Sequence, residues 1–124
     1  STELRYFVMS SNFVMSTIPQ DIFTRSPRVF FITMDENLIT GTIPGTFGKF
    51  STINQISLSS NFLSGTLPDL QDNKFMVVLD VSLNKLHGSI PSSLSSLHYL
   101  EELFVQYNAF KGEVSSFLNS TSQR

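Results

Sequence analysis

The 124-residue sequence has no cysteine, no tryptophan and only two histidines. Without cysteine there can be no disulfide, no C-x-x-C redox pair and no thiolate metal site. The compartment stays open, because a chain without thiols folds in any redox environment. Long apolar runs are also missing. "VFFI" and "FMVVL" fall far short of the roughly 20 residues a membrane helix needs. Charge is sparse, at 15% against the usual quarter or so, and sums to −2. There is no basic stripe, so nucleic acid and anionic lipid are excluded as expected partners. No G-x-S-x-G elbow, G-x-x-x-x-G-K-[ST] loop or G-x-G-x-x-G turn is present. His87 and His98 read as solvated or locally bonded rather than as metal ligands. No catalytic residue, metal or cofactor is expected.

What the chain does contain is Ser and Thr, 30 in all, and a period. "NLITGTIP", "NFLSGTLP" and "NKLHGSIP" begin at residues 37, 61 and 84. With Asn as anchor, five copies stand at Asn12, Asn37, Asn61, Asn84 and Asn108. The intervals are 25, 24, 23 and 24 residues. Apolar residues recur eight, five and three positions before each Asn. They are Leu4, Phe7, Met9; Val29, Ile32, Met34; Ile53, Ile56, Leu58; Met76, Leu79, Val81; and Leu100, Leu103, Val105. This is L-x-x-L-x-L-x-x-N, the leucine-rich-repeat pattern. Its x-L-x-L-x part has period 2 and predicts a short strand with an apolar inner face.

Further slots follow each Asn. Two residues on stand Val14, Ile39, Leu63, Leu86 and Phe110. Next come Ser16, Gly41, Gly65, Gly88 and Gly112, then Ile18, Ile43, Leu67, Ile90 and Val114. The last slot holds Pro19, Pro44, Pro68, Pro91 and Ser115. From the first apolar slot to this last one the offset is 15 in every repeat. All length variation falls after it, where 10, 9, 8 and 9 residues lead to the next first slot. Paired strands cannot slip by one residue without inverting their faces, whereas connections on the far side can. We therefore expect stacked coils with an asparagine ladder in the turn. Glycine supplies a positive φ or a close approach, and proline ends the extended stretch.

The S/T-G-x-I-P stretch after N-x-L resembles the 24-residue plant-type leucine-rich repeat, from Leu4 to Leu118. The resemblance implies an α/β-type solenoid, a right-handed superhelix of about five repeats. A parallel β-sheet would line its concave face, with 3₁₀ or irregular turns on the convex side. The repeats start near 4, 29, 53, 76 and 100 and make residues 1–124 one domain. Members of this family include ectodomains of receptor-like kinases and receptor-like proteins, and polygalacturonase-inhibiting proteins. The resemblance thus implies an extracellular or cell-surface, non-enzymatic module that binds a protein or peptide. The family's cysteine-paired caps are missing, and the chain starts at Ser1 with no leader. We expect a segment of a longer solenoid, or ends covered by partners, or by Phe13, Phe117 and the termini.

The outward strand positions lie six, four and two residues before each Asn, with a flanking position just before it. The candidate binding residues on this face are Tyr6, Phe31, Thr33, Asp35, Gln55, Asp80, Glu102, Phe104, Gln106 and Tyr107. Five strands span roughly 20–25 Å, enough for a peptide or a partner's loop. Tyr6 with Phe31, and Phe104 with Tyr107, are expected to form two aromatic anchors. Asp35, Glu36, Asp80, Glu101 and Glu102 would favour a positively charged ligand. Asp80 and Ser82 also fit a plain structural choice for those slots. Asn119 opens a glycosylation sequon, which says little about compartment in so Ser/Thr-rich a chain. Two other roles remain open: a structural solenoid subunit in a larger assembly, and an inhibitor of a secreted hydrolase. Ice binding is disfavoured, because Asp35, Asp80 and Phe104 interrupt the hydroxyl rows.

Overall fold

The computed structural model describes residues 4–111. Gly112, Val114, Ser115, Phe117 and the sequon at Asn119 lie outside the described residues. Five short strands, β1 (Tyr6–Val8), β2 (Phe31–Thr33), β3 (Gln55–Ser57), β4 (Val78–Asp80) and β6 (Glu102–Phe104), form one parallel sheet. Their order in space, β1-β2-β3-β4-β6, is their order in the chain. Each strand is the x-L-x centre of one repeat. The apolar residue at its middle forms one row: Phe7, Ile32, Ile56, Leu79 and Leu103. The pairing has no slip, so the unequal spacings of 25, 24, 23 and 24 are absorbed elsewhere.

A second run of pairing flanks the Gly slot. β5 (His87–Ser89) pairs with β7 (Ala109–Lys111) in parallel. Bridges Thr17↔Thr40, Thr42↔Ser64 and Thr66↔His87 continue it through the earlier coils. Glycine is required here on two counts. Gly65 has φ +80°, and a Cβ on it would stand 2.8 Å from the Thr42 methyl. Ser16, which fills this slot in the first coil, is not among the positive-φ residues.

Between these two ribbons and the convex side lies one core. Ile53, Leu58, Leu63, Met76 and Leu86 have no exposed surface. On the convex side, 3₁₀ turns cover Gly45–Lys49 and Ser92–Ser96, each entered from the repeat proline. Four phenylalanines close the convex side of the first two coils. Phe23 meets Phe7 at 5.1 Å, Phe47 at 6.1 Å and Phe50 at 6.4 Å between ring centroids. The shortest connection, after Pro68, puts Asn73 at the buried site that Phe50 and Leu97 occupy in neighbouring coils. The Asn73 amide donates to the carbonyls of Phe47 and Phe50 at 3.0 and 2.9 Å.

The asparagine ladder holds the coils in step. In Asn61, Oδ1 accepts from the Ile39 N–H of the preceding coil at 3.1 Å. Its Nδ2 donates to Met34 O of that coil, and to Leu58 O and Ser59 O of its own. Asn37, Asn84 and Asn108 repeat this scheme. In each, the Oδ1 bond and one Nδ2 bond reach back by one coil. Asn12 has no described coil behind it, is exposed, and among the described residues adds only its backbone N–H to the ladder. The expected burial thus fails at Asn12 for want of a neighbour. The expected cover by Phe13 also fails, since its side chain is 78% exposed.

One regularity had no signal in the sequence. The residue before each ladder Asn is left-handed: Ser11, Glu36, Ser60, Leu83 and Tyr107, with φ between 57° and 62°. None is glycine. Each such residue costs on the order of 1 kcal/mol. The Asn amide that follows holds the turn against this strain. Replacing Asn61 by Ala leaves a buried N–H and carbonyls without partners and is expected to cost about 3 kcal/mol. Asn12→Ala should change stability by less than about 0.5 kcal/mol. Urea unfolding of both variants tests this, and equal losses would show that the ladder is not what fixes the turns.

Candidate recognition face

Zero-slip pairing places the outward residues in columns. One reads Tyr6, Phe31, Gln55, Val78, Glu102, and the other Val8, Thr33, Ser57, Asp80, Phe104. Beyond the strand ends follow Ser10, Asp35, Ser59, Ser82, Gln106 and then the left-handed residues. The ten candidate residues therefore lie on one face. No lysine or arginine occupies any of these positions.

At the first-coil end the rings meet. Tyr6, 61% exposed, lies edge-on to Phe30 at 5.9 Å and tilted against Phe31 at 6.1 Å. Phe30 stands just ahead of the outward positions and packs against this neighbour. At the other end, Phe104 is half-buried and Tyr107 is 73% exposed. Among the described residues no ring contact joins these two. They sit on different columns, so this side offers two separate rings and not one patch.

The acidic strip divides into held and free carboxylates. Asp35 accepts from Thr33 Oγ1 at 3.0 Å, Ser57 Oγ at 2.9 Å, and the Ser59 N–H and Oγ at 2.9 and 3.2 Å. Thr33 is itself buried, with 8% exposure, and Ser57 with 6%. Asp80 accepts from the Ser82 N–H and hydroxyl at 3.1 and 2.7 Å. Asp35 thereby links neighbouring coils and has most of its hydrogen-bonding capacity taken, whereas half-buried Asp80 bonds only within its own turn, through Oδ1. Glu36 is exposed and accepts from Ser11 Oγ. Glu101 is exposed and Glu102 half-buried. The surface open to a ligand thus comprises Tyr6, Phe31, Glu36, Gln55, Glu102, Phe104, Gln106 and Tyr107. Partners 22 to 24 residues apart made the Asp35 network illegible in the sequence.

Asp35→Ala would strand the Ser59 N–H and the Ser57 hydroxyl and is expected to lower stability by about 2 kcal/mol. Glu36→Ala should stay within about 0.5 kcal/mol of the parent chain. Thermal unfolding decides, and the reverse order would mean that Asp35 is free for a ligand.

The sequence model of the Leucine Rich Repeat family matches residues 75–97. Receptor-like protein 39 of Arabidopsis thaliana is 31% identical over 111 residues, 87% of this chain. The chain spans only 12% of that relative's length. The solved plant peptide hormone receptor RGFR1, in complex with RGF2, superposes with TM-score 0.82 at 32% identity. The match covers 90% of this chain and 19% of that one. The ectodomain of the receptor kinase GASSHO1/SCHENGEN3 from Arabidopsis thaliana, in complex with CASPARIAN STRIP INTEGRITY FACTOR 2, gives 0.81 at 30% identity. That match covers 93% of this chain and 14% of the other. Among the described residues no helix is long and apolar enough to cross a membrane.

Proposed function

We propose that this chain, which is a leucine-rich-repeat protein of the plant type, is a non-enzymatic recognition module for a protein or peptide. Its concave face takes an extended segment with basic and apolar side chains. The observation that carries this reading is the pair of exposed Tyr6 and half-buried Phe31 on a face whose charges, among the described residues, are all acidic. Exposed rings supply large apolar contact at low entropic cost. Glu36 and Glu102 then select for a cation at the rim, where charge steers and orients more than it binds. The likeness to ligand-bound receptor ectodomains supports the same reading, and with it an extracellular or cell-surface location. Peptides selected on the intact chain from a random phage-displayed library should be enriched in Lys, Arg and aromatic residues. Their affinity should fall roughly tenfold on Phe31→Ala or Phe104→Ala, with the melting temperature unchanged. Binders indifferent to both changes would overturn the assignment.

A second reading, a segment stacked inside a longer solenoid or assembly, rests on the first coil. Val8, Phe13 and Met15 are 66%, 78% and 78% exposed. Beside them a cavity of about 210 Å³ is lined by Phe7, Met9, Val14, Ile18 and Ile22. An apolar end with an unused Asn12 amide fits a further leucine-rich coil. On size exclusion the isolated chain should self-associate, and Phe13→Ser with Met15→Ser should return it to a monomer. A parent chain that is already monomeric at high concentration would count against this.

A further inference from the structure

A second groove lies away from the concave face, between the convex connections of the third and fourth coils. Its volume is about 470 Å³, within the range of small-molecule sites. Its floor is Phe75 and Tyr99, whose rings stack at 5.9 Å with 25° between their planes. Both directly precede the first apolar slot of a repeat, Met76 and Leu100. The two earlier coils carry Arg28 and Thr52 there, so the scaffold does not demand aromatics. The rings are 57% and 59% exposed.

The groove sits where the repeat is irregular. The connection from Pro68 is the shortest of the set, and its Asn73 is tied to the second coil's backbone. From the fourth coil, Ser96 at the end of the 3₁₀ turn Ser92–Ser96 and His98 just beyond it also line the groove. On the third-coil side the rim carries Gln71, Asp72 and Lys74. One acid and one base cancel, leaving a polar rim without net charge. It presents a carboxylate, an amide, a hydroxyl and an imidazole around an exposed aromatic floor.

We propose that this groove binds a neutral oligosaccharide. Aromatic faces are electron-rich and attract the C–H-bearing face of a sugar ring. Ring hydroxyls at the sugar's edge both donate and accept, as this rim does. A charged ligand would find no net counter-charge. Two rings are also too small a patch for a stable protein partner, which buries on the order of 1,000 Å² or more. The site shares no residue with the concave face, so either assignment can fail alone.

Titration of the intact chain with cellotetraose and xylotetraose, followed by NMR and calorimetry, tests the proposal. A tetragalacturonate of similar length serves as the acidic comparison. A neutral sugar should shift the Phe75 and Tyr99 ring resonances saturably and leave those of Tyr6 and Phe31 in place. Tyr99→Ala should weaken it roughly tenfold, while Tyr99→Phe stays within about twofold. Because Tyr99 is exposed, folding of the variant is checked by its melting curve, and Asp72→Asn supplies an independent loss. The proposal is overturned if neither neutral sugar perturbs the rings, or if binding survives Tyr99→Ala. Tighter binding of the galacturonate, or competition by a peptide selected on the concave face, would overturn it too.

Discussion

The asparagine amide is the interaction on which the structure depends. Each coil has to turn sharply at the end of its strand, and that turn leaves backbone groups with no ladder partner. The amide of Asn61 satisfies both kinds at once, accepting from Ile39 and donating to Met34, Leu58 and Ser59. It thereby ties the turn to its own coil and to the coil behind. The same bonds hold the preceding residue in a left-handed conformation that Glu36, Leu83 and Tyr107 would not adopt by preference. Because that residue is fixed, its side chain emerges at a fixed place on the rim. Scaffold and recognition are joined at this one turn.

The convex side works by a looser rule. No ladder constrains it, so its length varies and its fillings differ: a phenylalanine cluster in the first coils, leucines in the fourth, a hydrogen-bonded Asn73 in the third. Burying a side-chain amide in an apolar stack is tolerated only if its partners are close. For Nδ2 they are the carbonyls of Phe47 and Phe50, which tie the third connection to the second coil, while the buried Oδ1 has no partner among the described residues. The opening towards the fourth coil accompanies that choice.

Much of the architecture was legible in the sequence because a solenoid's contacts recur. The rows Phe7–Leu103, the zero slip between strands and the positive φ of Gly65 all follow from residues that repeat at one interval. The candidate recognition face was legible only as a set of positions. The sequence places Thr33, Asp35 and Tyr107 alike in outward columns. Thr33 is in fact buried, Asp35 is spent on Ser57 and Ser59, and Tyr107 stands in water. Whether an outward side chain is free depends on its neighbours in adjacent coils. Those neighbours are not periodic.

By itself, then, the sequence determined the coil: which residues face inward, where the chain turns, and which strands pair. These depend on a periodic pattern of apolar, Asn, Gly and Pro positions, and a one-dimensional stack translates period directly into contact. Only the tertiary structure decided which carboxylates remain free, that Tyr6 and Phe30 form one cluster while Phe104 and Tyr107 stay apart, and that Phe75 and Tyr99 stack in the lining of a groove. Each of these is set by side chains that differ from coil to coil. Their distances are fixed by rotamer and neighbour, and neither is written in the repeat.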